Sequence, residues 1–276
     1  MGAIYALIAT GLIFIHRVTR VVNFAQPGFA MVGAYATYLL LEHSLLPYAM
    51  VYIVVPVAVG VLAWSIYWIA VRRFEDADPL FPVIATVFIA ILMAALVDRF
   101  VVGNLLLVPS VLSGGPLVIG GVSIDRDTIW ILGAALISMV LLIVVLRYTR
   151  AGAAIRALSS SVRGAQLVGF SAEAGYGLAW YIGGALGGLA GVLIAPITGA
   201  TSAISTELIA PVFVAAVIAG LDSFGPAVAA ALFLGVAETY AAGYTSSAYK
   251  SATSLVVLFV ALWLKRVRWS WWLAHA

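Results

Sequence analysis

Long apolar runs fill most of this chain, and short polar stretches separate them. Nine runs are candidate membrane helices: Gly2–Ile15, Phe24–Leu41, Leu46–Val71, Leu80–Val97, Thr128–Leu146, Gly177–Ile197, Leu208–Leu221, Phe224–Gly243 and Ser251–Leu264. A spanning helix needs about 20 residues, so the first run is short, and we expect the biological chain to begin upstream of Met1. The short seventh run is either a full span or a re-entrant, broken helix. The pattern predicts one all-α polytopic membrane domain over residues 1–276, with about eight or nine transmembrane helices, some short or broken.

The most polar stretch of the chain covers residues 147–176 and carries Arg147, Arg150, Arg156 and Arg163. Its small apolar residues keep helical spacing, which predicts a helix outside the membrane. Such a helix presents a surface to a soluble partner.

The composition places the rest of the chain in lipid. Hydrophobic residues make up 64% of it and charged residues 9%, whereas soluble domains are about one quarter charged. The net charge of +3 does not indicate a nucleic-acid partner, because the cations stand at the ends of apolar runs. The chain has no cysteine, which excludes disulfides and thiolate metal sites.

The distribution of cations predicts an orientation. If the chain starts outside, the cytoplasmic side receives eleven cations and the other side receives three, which fits the excess of cations in cytoplasmic loops. The eleven are Arg17, Arg20, Arg72, Arg73, Arg147, Arg150, Arg156, Arg163, Lys265, Arg266 and Arg268, and the three are Arg99, Arg126 and Lys250. The same rule places residues 147–176 in the cytoplasm.

The longest external loop, Arg99–Asp127, is rich in glycine and proline. Turn-forming residues separated by short apolar runs predict an interfacial hairpin or a short helix. This element either receives a substrate carrier or only packs on the helices.

Two rows of glycines lie on the predicted helix 177–197, with Gly183, Gly187 and Gly191 in one row and Gly184 and Gly188 in the other. Small residues spaced four apart let membrane helices approach closely. The rows therefore predict helix packing, or a helix that slides against its neighbour during a gating cycle.

Ionisable and potentially catalytic side chains are sparse in the predicted spans. Glu238 is the one acid expected deep in the membrane, and no His, Lys or second acid accompanies it, which argues against a proton- or sodium-driven carrier. No hydrolytic or metal-binding set is apparent, and the chain contains no GxxxxGK[ST] phosphate loop. If transport here uses ATP, another polypeptide must bind the nucleotide.

Two polar, glycine-containing segments interrupt the apolar runs. Asn23, Phe24, Gln26 and Gly28 belong to one, and Gly220, Asp222 and Ser223 belong to the turn before Phe224. Broken helices at membrane depth are typical of transport sites. We expect both segments to line a substrate pathway.

Five motifs, in order, resemble the branched-chain amino acid type of ABC importer permease, the LivH/LivM group. They are Tyr5–Leu12 with Arg20–Gln26 and Gly33–Tyr35, then Pro82–Thr86, then Arg156, Ala157, Ala165, Leu167 and Gly169, then Gly183–Gly191, and finally the Gly220 turn with Gly235. The chain departs from the family pattern at Pro27-Gly28, at Ser160, Ser161 and Arg163, and at Ala219 and Asp222.

The resemblance implies an ABC importer permease fold in the bacterial cytoplasmic (inner) membrane. It implies a dimer with a second permease subunit, two cytoplasmic ABC ATPase subunits that bind ATP and Mg²⁺, and an extracytoplasmic substrate-binding protein. The chain itself would be no enzyme and would hold no cofactor or metal. Residues expected to couple it to the ATPase are Arg156, Ala157, Ser159, Arg163, Ala165, Leu167 and Gly169. Substrates remain open among branched-chain and other amino acids, urea or short amides, and aromatic carboxylates.

A stand-alone secondary transporter or channel is the alternative. It predicts transport by this chain alone on an ion gradient. The lack of paired intramembrane charges speaks against it.

Overall fold

Each of the nine predicted apolar segments overlaps one helix of the computed structural model. The structure describes residues 1–43, 45–74, 77–101, 106–110, 115–119, 122–244 and 250–273. The helices are α1 (Gly2–Thr19), α2 (Gln26–Glu42), α3 (Tyr48–Ile69), α4 (Leu80–Val101), α5 (Arg126–Tyr148), α6 (Arg150–Ser160), α7 (Val162–Leu167), α8 (Ala172–Thr198), α9 (Ala203–Ile218), α10 (Phe224–Tyr244) and α11 (Lys250–Leu273). The prediction of an all-α polytopic membrane protein is confirmed.

Six of the helices in the described part of the chain are long and apolar enough to cross a membrane: α1, α3, α4, α5, α8 and α10. A 3₁₀ turn, Val71–Phe74, extends α3. The helix α9 and the apolar part of α11, Ala252–Trp263, are shorter, and α2 has 17 residues. Helices of unequal length agree with the predicted short or broken spans.

The predicted external hairpin is present between α4 and α5. Strands β1 (Leu117–Ile119) and β2 (Val122–Ile124) pair antiparallel, with Leu117 opposite Ile124. Parts of the surrounding loop, including Gly114, Gly120 and Gly121, lie outside the described residues.

The helix α8 lies at the centre of the bundle, and its two glycine rows face different neighbours. A Cβ at Gly183 would meet Ile15 of α1, and one at Gly187 would meet Phe29 of α2. On the other row, a Cβ at Gly184 would meet Ala63 of α3. Small residues thus allow three helices to approach the same central helix at backbone distance.

The order of these contacts gives the helix directions. Gly33 and Ala34 of α2 lie beside Gly188 and Gly191, further along α8 than the contact between α2 and Gly183, so α2 runs parallel to α8. Contacts of α3 move the other way, from Trp64 at Gly177 to Val59 at Gly188, so α3 is antiparallel. The consecutive helices α2 and α3 therefore run in opposite directions, as consecutive spans of a membrane bundle do.

Several of the predicted cytoplasmic cations lie at one end of the bundle. Arg72 pairs with Glu173 at the start of α8 (2.6 Å), and the Arg17 guanidinium lies over the Phe224 ring at the start of α10. Helices α6 and α7 lie at this same arginine-rich end, because Leu158 contacts Gly175 near the start of α8. The excess of cations predicts that the arginine-rich end faces the cytoplasm.

Candidate functional site

The connection between α1 and α2 returns into the bundle before α2 begins. Gln26, the first residue of α2, donates from Nε2 to the Gly183 carbonyl (2.9 Å). Gly183 lies about 16 Å along α8 from Ala172, by the helical rise. Residues 20–25, which we call the elbow, are non-helical backbone that runs from the exposed Arg20 to membrane depth at Asn23–Ala25. Such backbone is tolerated only where its polar groups find partners.

Buried side chains supply those partners. Asn23 Oδ1 accepts from the backbone N–H of Ala25 (3.0 Å), and Asn23 Nδ2 donates to Gln26 Oε1 (3.3 Å). Both side chains are fully buried. Asn23 and Gln26 thus connect the elbow to α8 within one subunit. That these residues line a substrate passage stays a prediction.

Two further helices enclose the elbow. The Phe24 ring stacks on Phe213 of α9 at 4.5 Å between centroids. Gly28 lies against Met93 of α4 and near Ser205 of α9. The elbow and the first turn of α2 therefore contact α4, α8 and α9 together.

Thr86 of α4 completes the elbow. Its fully buried Oγ1 accepts from the backbone N–H of Phe24 (3.0 Å) and donates to the Val83 carbonyl (2.7 Å). Thr86 ended the Pro82–Thr86 motif in the sequence, but nothing local indicated that it bonds a backbone N–H 62 residues away.

Replacing Thr86 with valine is expected to destabilise the bundle by about 1–3 kcal/mol, because the buried Phe24 N–H loses its acceptor. The matched control is Thr37→Val in α2. Thr37 is equally buried, but its hydroxyl only donates to the Gly33 carbonyl (2.8 Å), which already accepts a helical hydrogen bond. Thermal melting of the detergent-solubilised variants checks this. Equal melting temperatures for the two variants would contradict the assigned role of Thr86.

The turn at Gly220 lies apart from the buried elbow residues. Gly220 and Leu221 have φ of 74° and 61°, and His16 Nδ1 lies 3.2 Å from the Leu221 carbonyl oxygen. Asp222 is 3.6 Å from Arg20, with both side chains more than half exposed, so this ion pair adds little stability.

The structure therefore places Gly220, Asp222 and Ser223 at the exposed arginine-rich end. They do not join Asn23 and Gln26 in one cluster. Their link to the elbow runs through Arg20, the residue that ends α1 in a left-handed conformation.

The predicted coupling segment forms two short helices, each opened by a hydroxyl side chain. Thr149 Oγ1 accepts from the Gly152 N–H (3.0 Å) at the start of α6, and Ser161 Oγ accepts from the Gly164 N–H (3.1 Å) at the start of α7. Such caps satisfy backbone donors that the helix leaves free. Gly169, at φ of 88°, provides the left-handed turn after α7. The sequence marks Ser161 only as a departure from the family pattern that the chain resembles, and it does not reveal the capping role of this residue.

The two faces of this helix pair differ. Ile155, Leu158 and Ala165 are buried against the bundle. We expected Ala165 to help seat a partner, but it packs against the protein's own interior. Ala157 and Ser159 are half-buried, and the Ser159 hydroxyl donates to the Ile155 carbonyl. Ala165 therefore packs the helix pair on its own subunit, and coupling through Ala157 and Ser159 stays a prediction.

The exposed face contains the other predicted coupling residues. Arg156, Arg163 and Gly169 are exposed. Leu167 is 83% exposed and the neighbouring Val168 is 70% exposed. We call Leu167 and Val168 the α7 tip. Two adjacent apolar side chains outside the spanning helices, flanked by arginine, form a surface suited to a protein partner.

Glu238 of α10 is buried, as expected from the sequence. Its carboxylate accepts from Tyr5 Oη of α1 (2.6 Å) and from Ser254 Oγ of α11. The acid thus joins three helices. Within the described residues, no three His, Asp or Glu side chains are grouped as metal ligands would be.

Comparison with known proteins identifies the family to which the chain is similar. A family described as branched-chain amino acid transport system / permease component matches residues 1–262. The chain is 27% identical to the high-affinity branched-chain amino acid transport system permease protein LivH of Salmonella typhimurium, over 95% of this chain and 89% of that protein. It is 27% identical to LivH of Escherichia coli K12 with the same coverage, and 26% identical to BraD of Pseudomonas aeruginosa over 95% and 90%. No solved structure matches.

Proposed function

The chain belongs to the family of branched-chain amino acid transport system permease components, and from this premise we propose that it is the membrane-spanning subunit of an ATP-driven importer. It provides part of the route for the solute, and partner subunits supply the energy. Its relatives are named as high-affinity branched-chain amino acid permeases. Branched-chain amino acids or related small polar or carboxylate solutes are therefore the proposed substrates.

The exposed α7 tip is the observation that carries this proposal. Leu167 and Val168 lie beyond the spanning helices, at the end with the excess of arginine. Covering one such side chain gains about 1.5–3 kcal/mol. A soluble subunit that receives the α7 tip explains why the chain leaves it exposed.

The proposed partner at this tip is an ATPase subunit. The chain has no GxxxxGK[ST] sequence, so ATP and Mg²⁺ would be bound by two such subunits. Arg156 and Arg163 are positioned to pair with acids of the ATPase. Closure of the ATPase dimer would push α6 and α7, and the motion would reach α8 directly through the contact of Leu158 with Gly175.

Further partners follow from the family. A second permease subunit would form the other half of the route, and an extracytoplasmic binding protein would deliver the substrate on the side of the β1–β2 hairpin. The assembly would lie in the bacterial inner membrane. We keep Asn23 and Phe24 of the elbow, Gln26 and Gly28 of α2, and the Gly220–Ser223 turn as candidate gating and pathway elements.

The test is ATP hydrolysis by the purified assembly in nanodiscs, with its binding protein added either empty or loaded with leucine. We expect vanadate-sensitive hydrolysis that the loaded binding protein raises several-fold. Urea in place of leucine is the control for substrate class. Ion-gradient-driven leucine uptake by this chain alone, with no ATPase present, would instead establish the secondary transporter.

A further inference from the structure

A groove lies between Tyr52 of α3 and the outward side of α5, and it begins at the end of the bundle opposite the arginine-rich end. It encloses about 850 Å³. Its α5 wall is one continuous stripe that includes Ile129, Gly133, Ile137 and Leu141, and Leu189 of α8 forms part of its floor. The stripe is outward-facing, because Ile129, Ile137 and Leu141 are exposed. The groove therefore opens on the outer surface of the single subunit.

The charged group and the ring donors of the groove lie at its outer end, whereas the deeper Ser138 donates its hydroxyl to the Ala134 carbonyl of its own helix. Arg126, the first residue of α5, lines the groove, and its Nε is buried without a hydrogen-bond partner. Trp130 Nε1 donates to Tyr52 Oη of α3 (2.8 Å), and the two rings meet edge to face. Below this pair, the lining of the groove is mostly apolar. Tryptophan and tyrosine in such a position are typical of the membrane–water interface.

Within the part of the chain that the structure describes, Arg126 is the one charged residue that lines the groove, and its sequence neighbours Asp125 and Asp127 are not among the lining residues. Among the described residues, no carboxylate lies within ion-pair distance of Arg126. The adjacent Asp127 accepts a hydrogen bond from Ser110 instead (2.6 Å). A guanidinium offers a planar set of donors that matches the geometry of a phosphate.

The length of the groove favours a lipid. From Arg126 to Leu141 the α5 stripe measures about 22 Å by the helical rise. One leaflet contributes about 15 Å of hydrocarbon, and its headgroup region adds about 5–7 Å. A phospholipid would therefore place its phosphate at Arg126 while its acyl chain follows the stripe as far as Leu141.

We propose that this groove binds a phospholipid of the outer leaflet, with the phosphate held by Arg126 and an acyl chain held between α3 and α5. The lipid fills space that α3 and α5 leave open, and it contacts Leu189 of the central helix. The site is separate from the α7 tip and does not depend on the substrate or on ATP coupling.

Photoreactive lipids in membranes that contain the full chain with its co-purifying subunits test the proposal. The probe is phosphatidylglycerol with a diazirine in its acyl chain, and peptide mass spectrometry locates the labelled residues. We expect labelling along the α5 stripe. Arg126→Gln should lower this labelling roughly tenfold, because that is the loss of affinity expected when one charge-assisted hydrogen bond is removed. The matched control, Arg99→Gln, removes an exposed cation from the end of α4 and should change nothing.

Gly133→Leu provides an independent variant. A Cβ at Gly133 meets nothing within 4 Å, so leucine fits the fold and occupies the groove instead of the acyl chain. Stripe labelling should fall to background, whereas Gly243→Leu, at a similarly open position of α10, should leave it unchanged. A photoreactive diacylglycerol, which lacks the phosphate, should not respond to Arg126→Gln.

Two results would overturn the phospholipid site. In the first, labelling of the stripe is unaffected by both Arg126→Gln and Gly133→Leu, which describes ordinary bilayer contact. In the second, the stripe becomes inaccessible to lipid once the subunits assemble and cross-links to a neighbouring protein, which identifies the groove as a subunit interface.

Discussion

Replacing Leu167 with aspartate is expected to abolish ATP-dependent uptake and to leave the helix bundle folded. Leu167 is 83% exposed in the isolated subunit, so an acid there costs the permease fold little. In the assembly the same change loses about 1.5–3 kcal/mol of apolar burial and also desolvates a charge. Binding of the ATPase should weaken more than a hundredfold. Co-purification of the ATPase and leucine uptake into cells measure the effect.

Two variants make this result specific. Leu167→Met keeps an apolar side chain of similar size and should retain the ATPase. Val118→Asp makes a comparable change at an exposed position of β1, at the opposite end of the bundle, and should also retain it. An ATPase that co-purifies equally with Leu167→Asp and wild type would exclude the α7 tip as its docking surface.

Gly191→Leu is expected to give the largest loss of folded protein. A Cβ at this position would fall on the Ala30 carbonyl oxygen and 2.6 Å from the Ala34 nitrogen. Both are backbone atoms of α2, which cannot rotate away as a flexible side chain could. The added side chain must therefore separate α2 from α8. We expect destabilisation of more than about 3 kcal/mol, beyond ordinary overpacking. Yield of monodisperse protein and its melting temperature are the measurements.

The control for Gly191 comes from another helix. Gly243→Leu also replaces a helical glycine, but its Cβ meets nothing within 4 Å, and leucine is the better helix former. That variant should be at least as stable as wild type. Normal yield and melting of Gly191→Leu would contradict the close packing of α2 on α8.

The spans and the ends of the bundle could be predicted because lipid imposes simple rules. Each spanning segment must be apolar over its length, and the arginines that follow the runs must remain in water. The position of residues 147–176 outside the membrane follows from the same rule, since burying Arg156 and Arg163 in the bilayer is costly. Spacing alone showed that Gly183 and Gly184 begin two separate rows.

Other features depend on how distant segments meet and have no local signal. The depth at which α2 begins is set by the Gln26 contact with Gly183, 157 residues away. The Tyr5 partner of Glu238 lies 233 residues away. Ala165 has the size expected of a docking residue, and only the packing of α7 on the bundle shows that it faces inward. The elbow and the Gly220 turn looked alike as glycine-containing interruptions, but one is buried and the other exposed.

The central claim is that the α7 tip docks into an ATPase subunit, and a single engineered thiol tests it most directly. The chain has no cysteine, so Leu167→Cys gives this subunit one reactive site. Gly115→Cys, at the exposed opposite end, is the matched control. With a short bismaleimide in native membranes, we predict that position 167 cross-links to the ATPase and position 115 does not. Cross-linking of the ATPase from position 115, or none from position 167 in an actively transporting assembly, would contradict the account.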